Sequence, residues 1–324
     1  MYSTLIEPEE LAAPLSRTTG PVRGATPDSS GPWAVIDCRF DLARPDWGAS
    51  AYAAGHVPGA VYAHLDRDLS GPVTPTSGRH PLPALERLAE TLGRWGIDDT
   101  VQVVAYDQGS GAYAARLWWL LRWAGHPKVA VLNGGFAAWQ QAGLPIDVTQ
   151  AAETTPGLHP AQGLQPAQAL QPAQAQRRPR VFSPRFAAER VVSTAELERA
   201  VASGELASGT AVLVDARSAD RFAGENETID PVAGHVPGAR NHPFLGNVDS
   251  RGRFLAAGEL RERWQATLGK ATAIQTIAMC GSGVTACHNL LALEVAGLPG
   301  ARLYAGSWSE WIRDRDRPVA RGAQ

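Results

Sequence analysis

The chain has few cysteines, no excess of charge of either sign and no long apolar run, and each shortage excludes a class of protein. Three cysteines in 324 residues cannot build a disulfide framework, and they form no paired C-x-x-C motif of a zinc site. The 30 Lys and Arg residues against 32 Asp and Glu residues lack the basic excess typical of a nucleic-acid-binding protein. The chain has no run of about 18 uncharged apolar residues, which excludes a membrane-spanning helix, and its first residues lack a signal-peptide pattern. We therefore expect a protein of the reducing cytoplasm that binds neither nucleic acid nor membrane.

An internal repeat determines how the chain is organised. Four landmarks occur in the same order in both halves: a strand ending in D-x-R, the hexapeptide GHVPGA, an apolar run leading to an amphipathic helix, and a closing segment of glycine and tryptophan. The paired positions are 34–39 and 212–217, 55–60 and 234–239, 101–125 and 276–297, and 132–139 and 304–311. Since four landmarks in one order do not arise by chance, the sequence predicts a duplicated domain.

The segment between the two copies has a composition of its own. Residues 154–180 repeat LQPAQ, hold five prolines and contain almost no β-branched or aromatic residues, so neither helix nor sheet is favoured. We predict a first domain of residues 1–148, an extended linker of residues 149–188 and a second domain of residues 189–324.

Within each half, short apolar runs typical of buried strands alternate with amphipathic helical patterns that end on glycine. This alternation predicts an α/β fold in which each domain is a parallel sheet with helices on both faces. Open sheets of this kind bind ligands beyond the carboxyl ends of their strands. The sequence places Asp37, Asp107, Asp215 and Cys280 at those ends.

The segment MCGSGVTACH is the strongest candidate for a reactive site. Cys280 follows directly on a strand, and two glycines flank Ser282 before a helix begins. Glycines let successive N–H groups face a ligand, and a helix start adds free N–H donors and positive potential. A thiol held there should ionise readily, so we predict that Cys280 is the nucleophile. The residues predicted to surround the bound substrate are Gly281, Gly283, Val284 and Thr285.

The other two cysteines have weaker claims to reactivity. Cys287 lies two helical turns beyond Cys280 and is interpreted as a packed core thiol, with a resolving thiol as the alternative. Cys38 follows a strand of the first half, which lacks the cysteine loop, and is interpreted as structural.

Taken together, these motifs resemble the tandem-domain rhodanese sulfurtransferases, over nearly the whole chain apart from the linker and about the first twenty residues. The resemblance implies that only the second copy is catalytic, which agrees with Asp107 at the position of Cys280 in the first copy. It also implies that Cys280 takes sulfane sulfur from a small donor and passes it to thioredoxin, a small thiol or cyanide. No metal or organic cofactor is implied.

The loop after the cysteine bears on the sulfur donor. Thiosulfate-specific members carry cations directly after the cysteine, whereas CGSGVTA resembles the 3-mercaptopyruvate type, and its Gly281 and Ser282 bear no charge. Arg221 matches the family position that binds the donor carboxylate, and Arg217 is a second candidate that can instead pair with an acid. The family's second arginine is replaced by Asp230, so a thiosulfate-preferring enzyme stays open.

The resemblance further implies a relay of an acid, a histidine and a serine across the domain interface. We assign Asp46, His56 and Ser282 to it, to help deprotonate the thiol and protonate the departing enolate. His235 occupies the same GHVPGA turn as His56 in the other copy and is expected to be structural, while His80 is expected to be a loop residue.

Two other functions remain to be weighed. A cysteine phosphatase would need an arginine six residues after Cys280, where this chain has Ala286, so that function is disfavoured. A non-catalytic sulfur carrier or interaction module is the remaining alternative. The intact cysteine and its glycine loop argue against a pure interaction module.

Overall fold

Each half of the chain contains one parallel β-sheet, in a computed structural model that describes residues 1–18, 32–149 and 178–322. The predicted α/β class is therefore confirmed. Most of the predicted linker, residues 150–177, lies outside the described residues. Within the described ranges, no helix is both long and apolar enough to cross a lipid bilayer.

The first half builds a five-stranded sheet in the order β1-β5-β4-β2-β3, with every pair parallel. Its strands are β1 Leu5–Ile6, β2 Trp33–Asp37, β3 Val61–Tyr62, β4 Gln102–Tyr106 and β5 Val129–Leu132. Its helices are α1 Pro8–Thr18, α2 Trp47–Ala54, α3 Leu65–Asp68, α4 Leu85–Arg94, α5 Ala114–Trp123 and α6 Gly135–Gln141. Ala34 and Ile36 face one apolar cluster and Val35 faces another, so this sheet is covered on both faces, as its continuous apolar strands predict.

The second half builds a four-stranded parallel sheet in the order β7-β6-β8-β9. Its strands are β6 Val212–Asp215, β7 Arg240–Asn241, β8 Thr276–Met279 and β9 Arg302–Leu303. Its helices are α7 Thr194–Ala202, α8 Glu205–Ser208, α9 Ala219–Ala223, α10 Ala257–Leu268, α11 Thr285–Val295 and α12 Ser307–Trp311, with short 3₁₀ turns at Ala188–Arg190, Phe244–Asn247 and Ala273–Gln275. One apolar cluster includes strand residues of both halves, such as Ala105 and Ala278, so the two sheets share a continuous core.

Residues 178–188, the end of the predicted linker, pack against the first half. The backbone N–H of Arg180 donates to the Gly93 carbonyl at 2.9 Å, and its guanidinium pairs with Asp98 at 2.6 Å. The Phe182 side chain is buried, and its ring lies 6.0 Å from that of His126. This end of the predicted linker is therefore packed against the first domain.

A buried histidine joins the two halves. His288 of α11 donates from Nε2 to the carbonyl oxygen of Ser110 at 2.9 Å, and its ring stacks on Phe254 with centroids 4.5 Å apart. The other ring nitrogen, Nδ1, lies 3.5 Å from the amide nitrogen of Asn247 and so faces a donor. The surroundings therefore favour the neutral ring, and burial lowers the pKa of His288 to about 4.

We expect acid to weaken the fold through His288. The unfolded chain takes up this proton near pH 6.5, but the folded chain does so only near 4. The contribution of neutral His288 to the free energy of unfolding is therefore complete above pH 6.5 and is lost as the pH falls toward 4. Between pH 7 and pH 5 the free energy of unfolding should fall by on the order of 2 kcal/mol. Urea unfolding at both pH values should show a smaller pH-dependent loss for His288→Gln than for the wild type. Equal losses in the two proteins would contradict the assignment.

Candidate active site

Cys280 lies where the sequence places it, directly after β8 and ahead of α11. Its side chain is nearly buried, and its Sγ accepts the N–H of Gly283 at 3.1 Å. Gly283 has φ +78°, and a Cβ there would collide with the carbonyl of Ala305, so only glycine fits this turn. Val284 is the N-cap residue of α11 and Thr285 its first residue, so the helix begins directly after the glycine that contacts the sulfur.

The first copy of this loop holds a carboxylate where the second copy has the cysteine. Asp107, at the position of Cys280, accepts N–H groups from Gly109 at 2.9 Å, Gly111 at 3.0 Å and Tyr113 at 2.9 Å. A carboxylate of the chain itself therefore fills the ring of donors in the first half. The loop architecture accommodates negative charge, and in the second half the group that occupies it is sulfur.

The closing glycine–tryptophan segment forms hydrogen bonds to the backbone of Cys280. The N–H of Cys280 donates to Ser307 Oγ at 3.1 Å, and Trp308 N–H donates to the Cys280 carbonyl at 3.0 Å. Ser307 has φ +54° and is the one non-glycine residue with positive φ in the part of the chain that the structure describes. Its hydroxyl also donates to the Tyr304 carbonyl at 3.0 Å, so this strained backbone is held by its side chain.

A buried arginine from the first half reaches the same loop. Arg116 of α5 is fully buried and donates to the carbonyls of Gly283 at 3.3 Å, His80 at 3.1 Å and Leu69 at 3.4 Å. It thereby ties the cysteine loop of one half to a loop of the other and adds positive charge near the sulfur. Burial lowers the pKa of its guanidinium, whereas the neighbouring thiols of Cys287 and Cys280 raise it.

The serine of the cysteine loop contacts a histidine of the other half, but not the expected one. Ser282 Oγ lies 2.7 Å from His80 Nδ1, and His80 Nε2 lies 3.2 Å from Asp66 Oδ1. His80 is buried, and burial lowers its pKa while the carboxylate of Asp66 opposes this shift. An acid–histidine–serine chain therefore crosses the domain interface with Asp66 and His80 as its first two members.

The structure does not bring His56 or Asp46 to Ser282. His56 Nδ1 donates to the Tyr52 carbonyl at 2.8 Å, and its ring stacks on Tyr52 with centroids 3.9 Å apart. His235 repeats this in the second half, on the carbonyl and ring of Phe222. Asp46 is exposed at the start of α2. The shared GHVPGA turn thus explains both histidines, and the contact with Ser282 that was expected of His56 and Asp46 is made by His80 and Asp66 instead.

A comparison of the two copies could have identified His80. The first half reads GRH at 78–80, and the second half reads GRF at 252–254, with Phe254 in place of the histidine. His56 and His235, by contrast, occur in both copies. A histidine kept by both copies reflects the fold, whereas one present in a single copy is a candidate for a role that the two copies do not share.

Arg217 is corrected from a substrate contact to a structural residue. It is buried, pairs with Asp215 at 2.7 Å, donates to the Gly234 carbonyl at 2.8 Å and lies over the Trp308 ring. The first half repeats the pair as Arg39 with Asp37 at 2.6 Å. The D-x-R motif therefore forms a buried ion pair within each domain.

Two other guanidinium groups do face the cysteine loop. Arg221 pairs with Glu227 at 2.8 Å and with Asp230 at 3.2 Å. Arg79, from the first half, is ion-paired with Asp230. A Cβ on Gly281 would lie 2.9 Å from Nη2 of Arg79 and 3.6 Å from Nη2 of Arg221. The loop carries no charge of its own, as the sequence shows, but the tertiary structure places two cations beside it.

Comparison with known proteins agrees with this geometry. Residues 25–142 and 193–314 each match the family described as "Rhodanese-like domain". The chain belongs to the rhodanese family.

Its relatives include enzymes named for both sulfur donors. The chain is 46% identical over 290 residues to "Probable 3-mercaptopyruvate sulfurtransferase" of Pseudomonas aeruginosa, covering 89% of this chain and 92% of that one. It is 32% identical over 261 residues to "Thiosulfate sulfurtransferase" of Gallus gallus, covering 79% and 78%. The structure of 3-mercaptopyruvate sulfurtransferase from Leishmania major superimposes with TM-score 0.74 at 29% identity, covering 95% and 74%. The protein is thus a tandem-domain enzyme of the sulfurtransferase type.

A cavity of about 600 Å³ lies against this second rhodanese domain, and none of residues 280–285 is among the described residues of its wall. Arg79 and Asp230 form part of its wall, together with Ser309, whose N–H donates to the Gly281 carbonyl at 2.9 Å. Arg313, from the chain that follows α12, lies on the same wall. The cavity is large enough for a small organic acid and adjoins the ion pair of Arg79 and Asp230.

The other two thiols are packed away from this cavity. Cys287 is fully buried and donates from Sγ to the Gly283 carbonyl at 3.3 Å, and burial raises its pKa to about 12. Burial also raises the pKa of Cys38 well above its ordinary value. Both thiols are therefore protonated near pH 7, as expected for packed core cysteines.

Proposed function

We propose that this rhodanese transfers a sulfane sulfur from 3-mercaptopyruvate, through a persulfide on Cys280, to a thiol acceptor such as thioredoxin or a small thiol. The observation that carries the proposal is the position of the Cys280 sulfur at the Gly283 N–H, with the Ser282–His80–Asp66 chain on one side and two guanidinium groups on the other. A nucleophile, a proton carrier and an anion-binding group are thus adjacent.

The transfer takes place in two displacements. The Cys280 thiolate attacks the donor sulfur, an S–S bond forms, and the C–S bond breaks. Its electron pair leaves on pyruvate as the enolate, which then takes up a proton. The acceptor thiolate next attacks the outer sulfur, which leaves with the acceptor and regenerates the Cys280 thiolate. The Gly283 N–H, directed at the sulfur, stabilises negative charge at this point.

The relay supplies the proton. Because burial lowers the pKa of His80, its ring is neutral near pH 7 and can exchange a proton with Ser282. Asp66 orients the ring through Nε2 and stabilises the charge that develops on it. The Ser282 hydroxyl, two residues from the sulfur, first passes the thiol proton to the His80 ring and then returns it to the departing enolate.

The choice of donor rests on charge. Mercaptopyruvate carries one carboxylate, which suits the guanidinium of Arg221, and the loop itself adds no further cation. The relative of highest identity reported above is named for this donor. Thiosulfate is the second candidate, favoured by the two guanidinium groups beside Gly281, which suit a dianion.

Steady-state kinetics with the two donors side by side tests the proposal. We expect a higher kcat/KM for mercaptopyruvate than for thiosulfate. Arg221→Ala should raise KM for mercaptopyruvate about tenfold or more, because a charged hydrogen bond of about 1.5–3 kcal/mol is lost. A wide preference of the wild type for thiosulfate would overturn the donor, and Asp230 in place of the family's second arginine would then have been the better guide.

A further inference from the structure

One contact between the two domains occurs in both copies but is made by a different side chain in each. The tripeptide GSG occurs once in each half, and the fifth residue after it is Arg116 in α5 and His288 in α11. His288 donates to the Ser110 carbonyl in the loop of the first half at 2.9 Å. Arg116 donates to the Gly283 carbonyl in the loop of the second half at 3.3 Å. Each of the two residues thus crosses the interface to the loop of the other copy.

The two side chains differ in charge. Burial lowers the pKa of His288 to about 4, so its ring is neutral near pH 7, whereas an arginine keeps its charge in proteins. The neutral ring contacts the loop that already holds the carboxylate of Asp107, and the cation contacts the loop that holds Cys280. A fixed positive charge therefore lies at the copy that carries the thiol.

Arg116 has no acidic side chain as an ion-pair partner within the described ranges. The residue is fully buried. Its guanidinium donates to four backbone carbonyls, those of Leu69, His80, Pro81 and Gly283. Carbonyl oxygens satisfy the N–H groups but leave the net charge, and a buried charge is costly unless an opposite charge lies near it. The groups that raise the pKa of this guanidinium are the thiols of Cys287 and Cys280.

Of these two thiols, Cys280 is the one that can supply a negative charge. Burial raises the pKa of Cys287 to about 12, so near pH 7 it is a neutral thiol, which donates to the Gly283 carbonyl at 3.3 Å. The Cys280 Sγ accepts the N–H of Gly283 at 3.1 Å. Arg116 therefore holds the carbonyl of the residue whose N–H contacts the reacting sulfur.

The other charged groups near the cysteine loop have partners of their own. Apart from Arg116, the titratable and charged groups around Cys280 are Arg79, His80, Arg221, Glu227, Asp230 and Cys287. Each arginine of this set pairs with a carboxylate of the set. The His80 ring, whose pKa burial lowers, is neutral near pH 7 and contacts Asp66. Two arginines are thus matched by two carboxylates, which leaves Arg116 to match the thiolate.

We propose that Arg116 is a positioning residue whose charge keeps Cys280 ionised, so that the counter-ion of this buried guanidinium is the Cys280 thiolate. This deepens the proposed function and rests on it, since it takes Cys280 as the nucleophile. The thiolate is present before the first displacement and is regenerated by the second, so the cation favours the same state of the enzyme at both ends of the cycle. The first domain thereby controls the reactivity of a cysteine in the second.

Alkylation by iodoacetamide over a range of pH, followed by mass spectrometry of the Cys280 peptide, tests this role without a sulfur donor. We expect Arg116→Gln to raise the pH of half-maximal alkylation by about one to two pH units, because a nearby opposite charge shifts ionisation by this order. At high pH its rate should converge with that of the wild type. Arg116→His places the residue of the other copy there and should give the same shift, which keeps the test open if Arg116→Gln does not fold.

Two further variants separate charge from structure. Arg116→Lys keeps the charge but cannot donate to four carbonyls, so its alkylation profile should lie close to that of the wild type. His288→Gln is the matched control, because it removes the corresponding contact at the other loop and should leave the profile of Cys280 unchanged. The thermal midpoint of each variant reports whether it is folded.

The possible results distinguish the role of Arg116 from the proposed function. Fast alkylation of wild-type Cys280 with an unchanged profile in the neutral variants would overturn the role of Arg116 alone. An equal shift in Arg116→Lys and Arg116→Gln would also overturn it, because the hydrogen bonds rather than the charge would then matter. Wild-type Cys280 that reacts no faster than the buried Cys38 would overturn the nucleophile, and the proposed function with it.

Discussion

Replacing Cys280 by serine should reduce sulfur transfer to background and leave the fold intact. A serine hydroxyl is not ionised near neutral pH and cannot hold a sulfane sulfur, whereas its similar size preserves the contact with Gly283. Turnover with mercaptopyruvate, together with the thermal midpoint, checks both parts of this expectation.

Mass spectrometry then locates the intermediate. After treatment of the wild type with mercaptopyruvate, the peptide containing Cys280 should gain about 32 Da, the mass of one sulfur atom held as a covalent intermediate. The controls Cys287→Ser and Cys38→Ser should keep most of the activity, because both thiols are buried and burial raises the pKa of each. A gain of mass on Cys287 instead would contradict the assignment of the nucleophile.

Replacing His80 by glutamine should lower kcat/KM by about 10²- to 10⁴-fold, the usual contribution of a positioned proton carrier. His56→Gln is the matched control. It removes the stacking on Tyr52 and should lower the thermal midpoint, but it should leave kcat/KM within about threefold of the wild type, since His56 does not contact Ser282. The opposite result, with activity lost in His56→Gln and retained in His80→Gln, would restore the first assignment.

The pH profile separates a proton-transfer role of His80 from a structural one. The proposed proton transfer needs the neutral ring of His80, and burial lowers the pKa of that ring below the ordinary 6.5. Activity should therefore be constant above about pH 6.5 and fall at lower pH, and His80→Gln should lack this acid limb. Asp66→Asn removes the group that opposes the shift, so the limb should move to lower pH. An acid limb unchanged in His80→Gln would show that another group titrates.

The repeat, the α/β class and the cysteine loop could all be derived from the sequence. Each depends on residues that are close along the chain: apolar runs of four or five residues form the strands, and the turn from Cys280 through Gly283 into α11 spans a few positions. Local backbone preferences and hydrophobic periodicity suffice for such features. The glycine requirement at Gly283 is of the same kind, because its positive φ is a property of the turn.

The side chains that contact Ser282 and Asp230 across the interface were decided by tertiary structure. His80 and Ser282 are 202 positions apart, and Arg79 and Asp230 are 151 apart, so each pair meets only because the two domains dock on a shared core. No pattern within one domain reports which side chain will cross that interface. The sequence alone therefore predicted the candidate nucleophile and the loop that holds it. The groups that surround the nucleophile depend on long-range packing, which brings together residues whose spacing along the chain carries no signal.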